Sequence, residues 1–175
     1  MSESVDPGLA LSWRLLRYRL LLAIAAAVVA ADQATKAWIA ARLPYNTYGE
    51  GLGAITVVRG LFYIVHVGNT GAAWSVLTGR SVLLAVLAGA TLLAIFLGRK
   101  ALGLRDPFTQ VCFGLLCGGI LGNLVDRLAR GHVVDFLDFH FGSYVYPSFN
   151  VADSAICVGV ALYVLSSLRT PRKGA

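Results

Sequence analysis

Four apolar runs of membrane-spanning length leave this chain few folds to choose from. Residues 20–39, 76–97, 108–128 and 152–168 each approach the roughly 20 apolar residues needed to cross a hydrocarbon core, and the last, being short, is expected to begin in the interface. In lipid the backbone must satisfy its own hydrogen bonds, which a helix does. The expected fold class is therefore an all-α membrane protein, a four-transmembrane-helix bundle forming one integral membrane domain over residues 1–175. Composition agrees: 57% of the 175 residues are hydrophobic and 14% charged, against about 25% charged in soluble domains. Mean hydropathy is +0.71.

Between these runs lie two loops expected to be extracytoplasmic, 40–75 and 129–151. The first is rich in Gly and β-branched residues. Within it 54–58 and 61–67 read as short strands joined by a turn at Arg59-Gly60, the expected β-strand cradle. The second carries Asp135 and Asp138 among Phe136, Phe139, Phe141, Tyr144, Tyr146 and Phe149, a density of aromatics that fits a platform at headgroup level. Its two carboxylates read as solvated loop residues.

The basic residues set the expected orientation. Arg14, Arg17 and Arg19 precede the first span, Arg99, Lys100 and Arg105 separate the second from the third, and Arg169, Arg172 and Lys173 follow the fourth. Nine of fifteen Lys and Arg thus share one side, the cytoplasmic one, with both termini. Arg14, Arg17 and Arg19 before an apolar run also suggest a signal peptide. The run continues past Asp32 and Lys36 to Ile39, however, which reads as a retained anchor. The net charge of +6 therefore argues for topology rather than for a nucleic-acid partner. Cys112, Cys117 and Cys157 lie in apolar stretches with no disulfide or zinc spacing. His66, His132 and His140 show no metal spacing, and Ser75 and Ser154 have no evident His partner.

Ionisable residues inside spans are costly and point to function. Asp32, Asp126 and Asp153 all fall near the outer ends of spans one, three and four, at one depth. Asn123-Leu-Val-Asp126 and Asn150-Val-Ala-Asp153 repeat N-x-x-D, a spacing that sets each Asn beside its Asp on a helical face, although Asn150 and Asp153 could equally cap the fourth span. Gly114, Gly118 and Gly122 recur every four residues and Asp126 continues the row, so Asp126 is expected to face a neighbouring helix. If that helix is span four, Asp126 meets Asp153, and two carboxylates held together share a proton as a coupled pair. One would draw a proton from water and the other stabilise a carbonyl oxygen. Asp32 and Lys36, spaced i,i+4, are expected to form a structural ion pair. A proton or cation relay, or polar residues that only bind helices together, are the competing readings. A relay should step across the membrane rather than stay at one depth.

The motifs Asp32-Gln-Ala-Thr-Lys36, Asn69-Thr-Gly-Ala-Ala-Trp-Ser75, Gly118-Gly-Ile-Leu-Gly-Asn-Leu-Val-Asp-Arg127, Val133-Val-Asp-Phe136 and Phe149-Asn-Val-Ala-Asp153 together resemble, in order, those of bacterial lipoprotein signal peptidases. Trp74 departs from them, a Phe being the more usual residue there. The resemblance implies an aspartic endopeptidase of the inner membrane, which removes the signal peptide of a diacylglyceryl-modified prolipoprotein by cutting before the lipidated cysteine. It implies catalysis by Asp126 and Asp153, with Asp32, Lys36, Asn69, Gly122, Asn123, Arg127 and Asn150 in support. It further implies an enzyme without metal or organic cofactor, in contact with membrane lipid, that binds the cyclic peptide globomycin; for the oligomeric state a monomer is the default expectation.

Overall fold

The computed structural model describes residues 17–49, 53–72, 74 and 76–169; Arg14, Ser75, Arg172 and Lys173 lie outside the described residues. Among these are four helices long and apolar enough to cross a membrane: α1 (Arg19–Arg42), α2 (Ser81–Gly98), α3 (Pro107–Arg130) and α4 (Val151–Arg169). Four strands complete the fold, β1 (Ile55–Val58), β2 (Phe62–Asn69), β3 (Val133–Phe141) and β4 (Tyr144–Val145), forming one sheet in the order β1-β2-β3-β4. The bundle with a small sheet is the architecture expected from the sequence. The second span starts later than expected, because Val76–Arg80 are taken up by a turn with positive φ at Leu77 (59°) and Gly79 (78°).

Helix α3 is the centre of the bundle and packs against α1, α2 and α4. Asp106 caps its first turn by accepting the Thr109 N–H at 2.8 Å, with Pro107 in the first helical position. Gly131, at φ 76°, ends it by donating its N–H to the Arg127 carbonyl. Glycines decide which neighbours come close. A methyl group on Gly114 or Gly118 would lie 2.9 Å from Ile24 Cβ or 2.7 Å from Val28 Cβ of α1. One on Gly119 would lie 2.3 Å from the Ala152 carbonyl oxygen of α4. The row Gly114, Gly118, Gly122 therefore faces α1. On α1 the buried residues Ala25, Asp32, Lys36 and Ile39 recur at helical spacing and form the answering stripe. Helix α2 buries none of its residues and presents its apolar side chains outward, as a helix bathed in lipid should.

The β1–β2 hairpin turns at Arg59 and Gly60 (φ 75°), as the sequence indicates. The stretch 133–141, read as part of a loop, is instead a nine-residue strand. It pairs antiparallel with β2 from Phe62↔Phe139 to Asn69↔Val133. The register shifts between Ile64 and Val67, where β2 carries one more residue than β3. Beyond that bulge Val67 faces Asp135, which puts Asn69 and Asp135 diagonally on one side of the sheet. Val65, Val134 and Phe136 are buried. Ile39, Leu43, Val134 and Phe136 form the small core that seats the sheet on the end of α1. The seat places β3 against α1 and α3, and Asn150, just before α4, donates to the Val134 carbonyl of β3.

Candidate active site

Helix α4 opens with a reciprocal cap. The Asp153 N–H donates to Asn150 Oδ1 at 2.9 Å and the Asn150 N–H to Asp153 Oδ2 at 3.2 Å. The capping role open to Asn150 and Asp153 is thus realised, and it fixes the Asp153 carboxylate at the helix mouth. The other oxygen of Asp153 accepts from Asn123 Nδ2 at 2.8 Å. Asn123 therefore serves α4, not the Asp126 three residues along its own helix.

The remaining donor of Asn150 points to β3. Its Nδ2 donates to Asp135 Oδ1 at 2.7 Å, and Asn69 Nδ2 donates to Asp135 Oδ2 at 2.9 Å. Asn150 thus touches both carboxylates, that of Asp135 through its side-chain amide and that of Asp153 through its backbone N–H. Asp135 and Asp153 also line the same cavity of about 440 Å³, together with Asn69, Asn123, Arg127 and Trp74. Arg127 crosses its wall and donates to the Gly71 carbonyl at 3.0 Å, tying α3 to the loop after β2. Asp135 is 2% exposed. Its burial, and then the Asp153 carboxylate beside it, push its carboxyl group up to about 7, against the opposing pull of Asn69, Asn150 and Lys36. A carboxyl group with that value exchanges a proton near neutrality, which general acid–base chemistry requires.

Asp126 is placed elsewhere. It is fully buried and does not line the cavity. Oδ2 lies 2.9 Å from Lys36 Nζ and accepts the Val134 N–H at 3.1 Å; Oδ1 takes Arg130 Nη1 and Gln33 Nε2. The path from Asp126 to Asp153 runs through Lys36 and Asn123. The physical reason is the glycine row, which turns Asp126 towards α1 rather than α4. The expected meeting of Asp126 with Asp153 does not occur, and Asp135 stands where Asp126 was anticipated. The expected ion pair of Asp32 with Lys36 is present at 2.8 Å. Gly122 makes room for it, since a methyl group there would lie 2.6 Å from Asp32 Oδ2. Ser154 donates its hydroxyl to the Asn150 carbonyl at 2.9 Å and so makes a poor nucleophile.

Asp135 and Asp138, expected to be solvated loop residues, are both buried, at 2% and 5% exposure. The available signal was the unbroken β-branched and aromatic run from Val133 to Phe141, which marks a strand and makes a carboxylate within it costly.

Fold and site together define a multi-pass membrane enzyme with a two-carboxylate cleft at one end of its helix bundle. Residues 24–169 match the family described as signal peptidase (SPase) II. The lipoprotein signal peptidase of Nitratidesulfovibrio vulgaris is 39% identical over 160 residues, covering 89% of this chain and 93% of that protein. That of Xanthomonas campestris pv. campestris is 37% identical, covering 99% of each chain. Two solved bacterial membrane enzyme structures superpose with TM-scores of 0.76 and 0.73 at 31% and 32% identity. The first covers 89% of this chain and 93% of its own, the second 86% and 94%. The chain belongs to the signal peptidase II family of membrane proteases.

Proposed function

We propose that this protein cleaves the signal peptide from diacylglyceryl-modified prolipoproteins, just before the lipidated cysteine, by an aspartic mechanism in which Asp135 and Asp153 share one proton. The observation that carries the reading is the joint hold of Asn150 on two carboxylates that line one cavity, by its side-chain amide on Asp135 and its backbone N–H on Asp153. Two such groups cannot both ionise cheaply and titrate as a pair. Asp135, its carboxyl pushed up to about 7, is assigned the shared proton, and Asp153 the role of base. Asp153 draws a proton from a water molecule, whose oxygen attacks the scissile carbonyl. Asp135 donates its proton to the carbonyl oxygen, giving a neutral diol. The C–N bond then breaks, with a proton returned to the leaving amine of the cysteine and the second carboxylate re-protonated from the diol. Asn69, Asn123 and Asn150 hold the two carboxylates, and Arg127 holds the cleft wall. The chemistry needs no metal, and no His/Cys/Asp/Glu group fit to hold one occurs among the described residues.

The sheet-bearing end is the outer, extracytoplasmic one, both termini are cytoplasmic, and the working unit is a monomer. The basic residues at the opposite helix ends support that orientation. There the substrate's acyl chains stay in the outer leaflet while its scissile amide meets water. Globomycin, a cyclic peptide, is proposed to occupy the same cavity. The test is cleavage of a lipid-modified precursor in detergent, with both products weighed by mass spectrometry. The wild type should release the intact signal peptide, while Asp135→Asn and Asp153→Asn, inserted and folded, should release none. Turnover by both variants would end the two-aspartate reading.

A further inference from the structure

Lys36 is fully buried, and its three ammonium hydrogens meet three acceptors: Asp32 Oδ2 at 2.8 Å, Asp126 Oδ2 at 2.9 Å and Asn123 Oδ1 at 2.9 Å. Pairing α1 with α3 would need only the Lys36–Asp126 contact. The two carboxylates reach further than that. Asp126 Oδ2 accepts the N–H of Val134 at 3.1 Å, and Asp32 Oδ1 accepts the N–H of Ala152 at 3.0 Å. Val134 immediately precedes Asp135, and Ala152 immediately precedes Asp153.

We propose that Asp32, Lys36 and Asp126 form a positioning frame, in which each carboxylate grips the peptide group just before one reactive aspartate and Lys36 fixes the distance between the two grips. The frame rests on the assignment of Asp135 and Asp153 as the reactive pair. It explains why a cluster this costly to bury sits outside the cavity. Strand β3 and helix α4 share no covalent route shorter than the β4 hairpin, and the first-turn N–H groups of α4 need acceptors from outside the helix. Asp32 supplies one of those acceptors from α1. Charge is balanced by construction, since Arg130 faces Asp126 across its other oxygen. Gln33 braces both carboxylates, donating to Asp32 Oδ2 at 3.1 Å and to Asp126 Oδ1 at 3.2 Å. The three residues are positioning residues and touch no reacting atom.

The test compares two triple variants with the wild type. Asp32→Leu/Lys36→Met/Asp126→Leu removes the charges together, which leaves Arg130 at the margin but no unpaired Lys36, and it removes both amide acceptors. Asp32→Asn/Lys36→Met/Asp126→Asn removes the same charges but keeps an oxygen for each amide. The frame predicts that the Leu variant loses roughly 100-fold in kcat, the effect of a misplacement near 1 Å, with KM within about threefold. The Asn variant should recover most of that loss at equal Tm in detergent. Both variants lose the downward pull of Lys36 on Asp135, so the two are compared with each other: the alkaline limb of the Leu variant's pH–rate profile should lie at lower pH than that of the Asn variant, because carboxylates that drift apart repel each other less. Equal kcat in the two folded variants, or coincident pH profiles, would overturn the frame. If the Leu triple variant does not fold, Asp32→Leu and Asp32→Asn decide, since both remove one charge and only the second keeps an oxygen for the Ala152 N–H. A lower kcat with the alkaline limb at lower pH in Asp32→Leu than in Asp32→Asn supports the frame, and equal kcat or coincident profiles overturn it. An active Asp135→Asn enzyme would instead remove the reactive pair on which the frame rests, a separate failure.

Discussion

Gly119 is the point at which a single methyl group should disable catalysis without touching a carboxylate. A Cβ at this position would stand 2.3 Å from the Ala152 carbonyl oxygen and 2.7 Å from Ile156 Cγ1, whereas ordinary contact begins near 3.4 Å. The obstacle is backbone, so a rotamer change cannot relieve it. Helix α4 must move off α3 by about 1 Å or slide along it, and Ala152 and Asp153 move with it, while Asp135 on β3 stays. A misplacement of that size is worth roughly 100-fold in rate, so Gly119→Ala should lower kcat about 100-fold and KM far less. Gly89 of α2 provides the control, because its Cβ would meet nothing within 4 Å. Gly89→Ala should leave kcat unchanged, since Ala favours a helix over Gly by roughly 1 kcal/mol. The assay is the initial rate of cleavage of a lipid-modified precursor in detergent, over a range of substrate concentrations, at matched folded protein. A Gly119→Ala enzyme with wild-type kcat would refute the claim that the α3–α4 approach sets the position of Asp153.

Activity should fall as pH rises through about 7, as Asp135 gives up the proton that the pair shares. In Asp153→Asn the upward push on Asp135 from its neighbour disappears, so Asp135, followed by isotope-edited infrared spectroscopy, should titrate at lower pH than in the wild type. The same raised value means that the folded chain binds a proton the unfolded chain has released, so this group's contribution to stability is lost as pH rises from 3.8 to about 7. Denaturation midpoints measured across that window should follow the same slope, and Asp135→Asn should flatten it. Gly68→Leu should impair turnover more than Gly60→Leu. A Cβ on Gly68 would lie 2.0 Å from the Tyr45 hydroxyl, while Gly60 has open space and only its φ of 75° to defend. Globomycin should protect the thiol of Cys157, which is exposed and lines the same cavity, from alkylation; unchanged labelling would count against a shared site.

The bundle was legible because its causes are local. Spanning length, apolar composition and the glycine row are written into consecutive residues, and the β1–β2 hairpin announces itself at Arg59-Gly60. The region of the site was legible too, since Asp153, Asn123, Arg127 and Asn69 converge on one cavity, with Asn150 buried behind its two carboxylates. What the sequence left undetermined was the partner of Asp153. A four-residue glycine spacing says that a helix will approach, not which one. Two faces of α3 carry glycines, with Gly114 and Gly118 against α1 and Gly119 against α4. Asp126 lies on the first face, and the difference between one face and the other is a single residue along the helix. Asp135 was obscured for a different reason. Its burial depends on the pairing of β3 with β2 and on a bulge between Ile64 and Val67, long-range features that no window of consecutive residues contains.

Turnover of a lipid-modified precursor by Asp135→Asn, measured beside Asp126→Asn at equal folded protein, tests the account most directly. With Asp135 as the reactive partner of Asp153, the first variant should show no cleavage above background, and the second, which keeps an oxygen for the Val134 N–H, should cleave at more than about a tenth of the wild-type rate. Cleavage by Asp135→Asn together with a silent Asp126→Asn would contradict it.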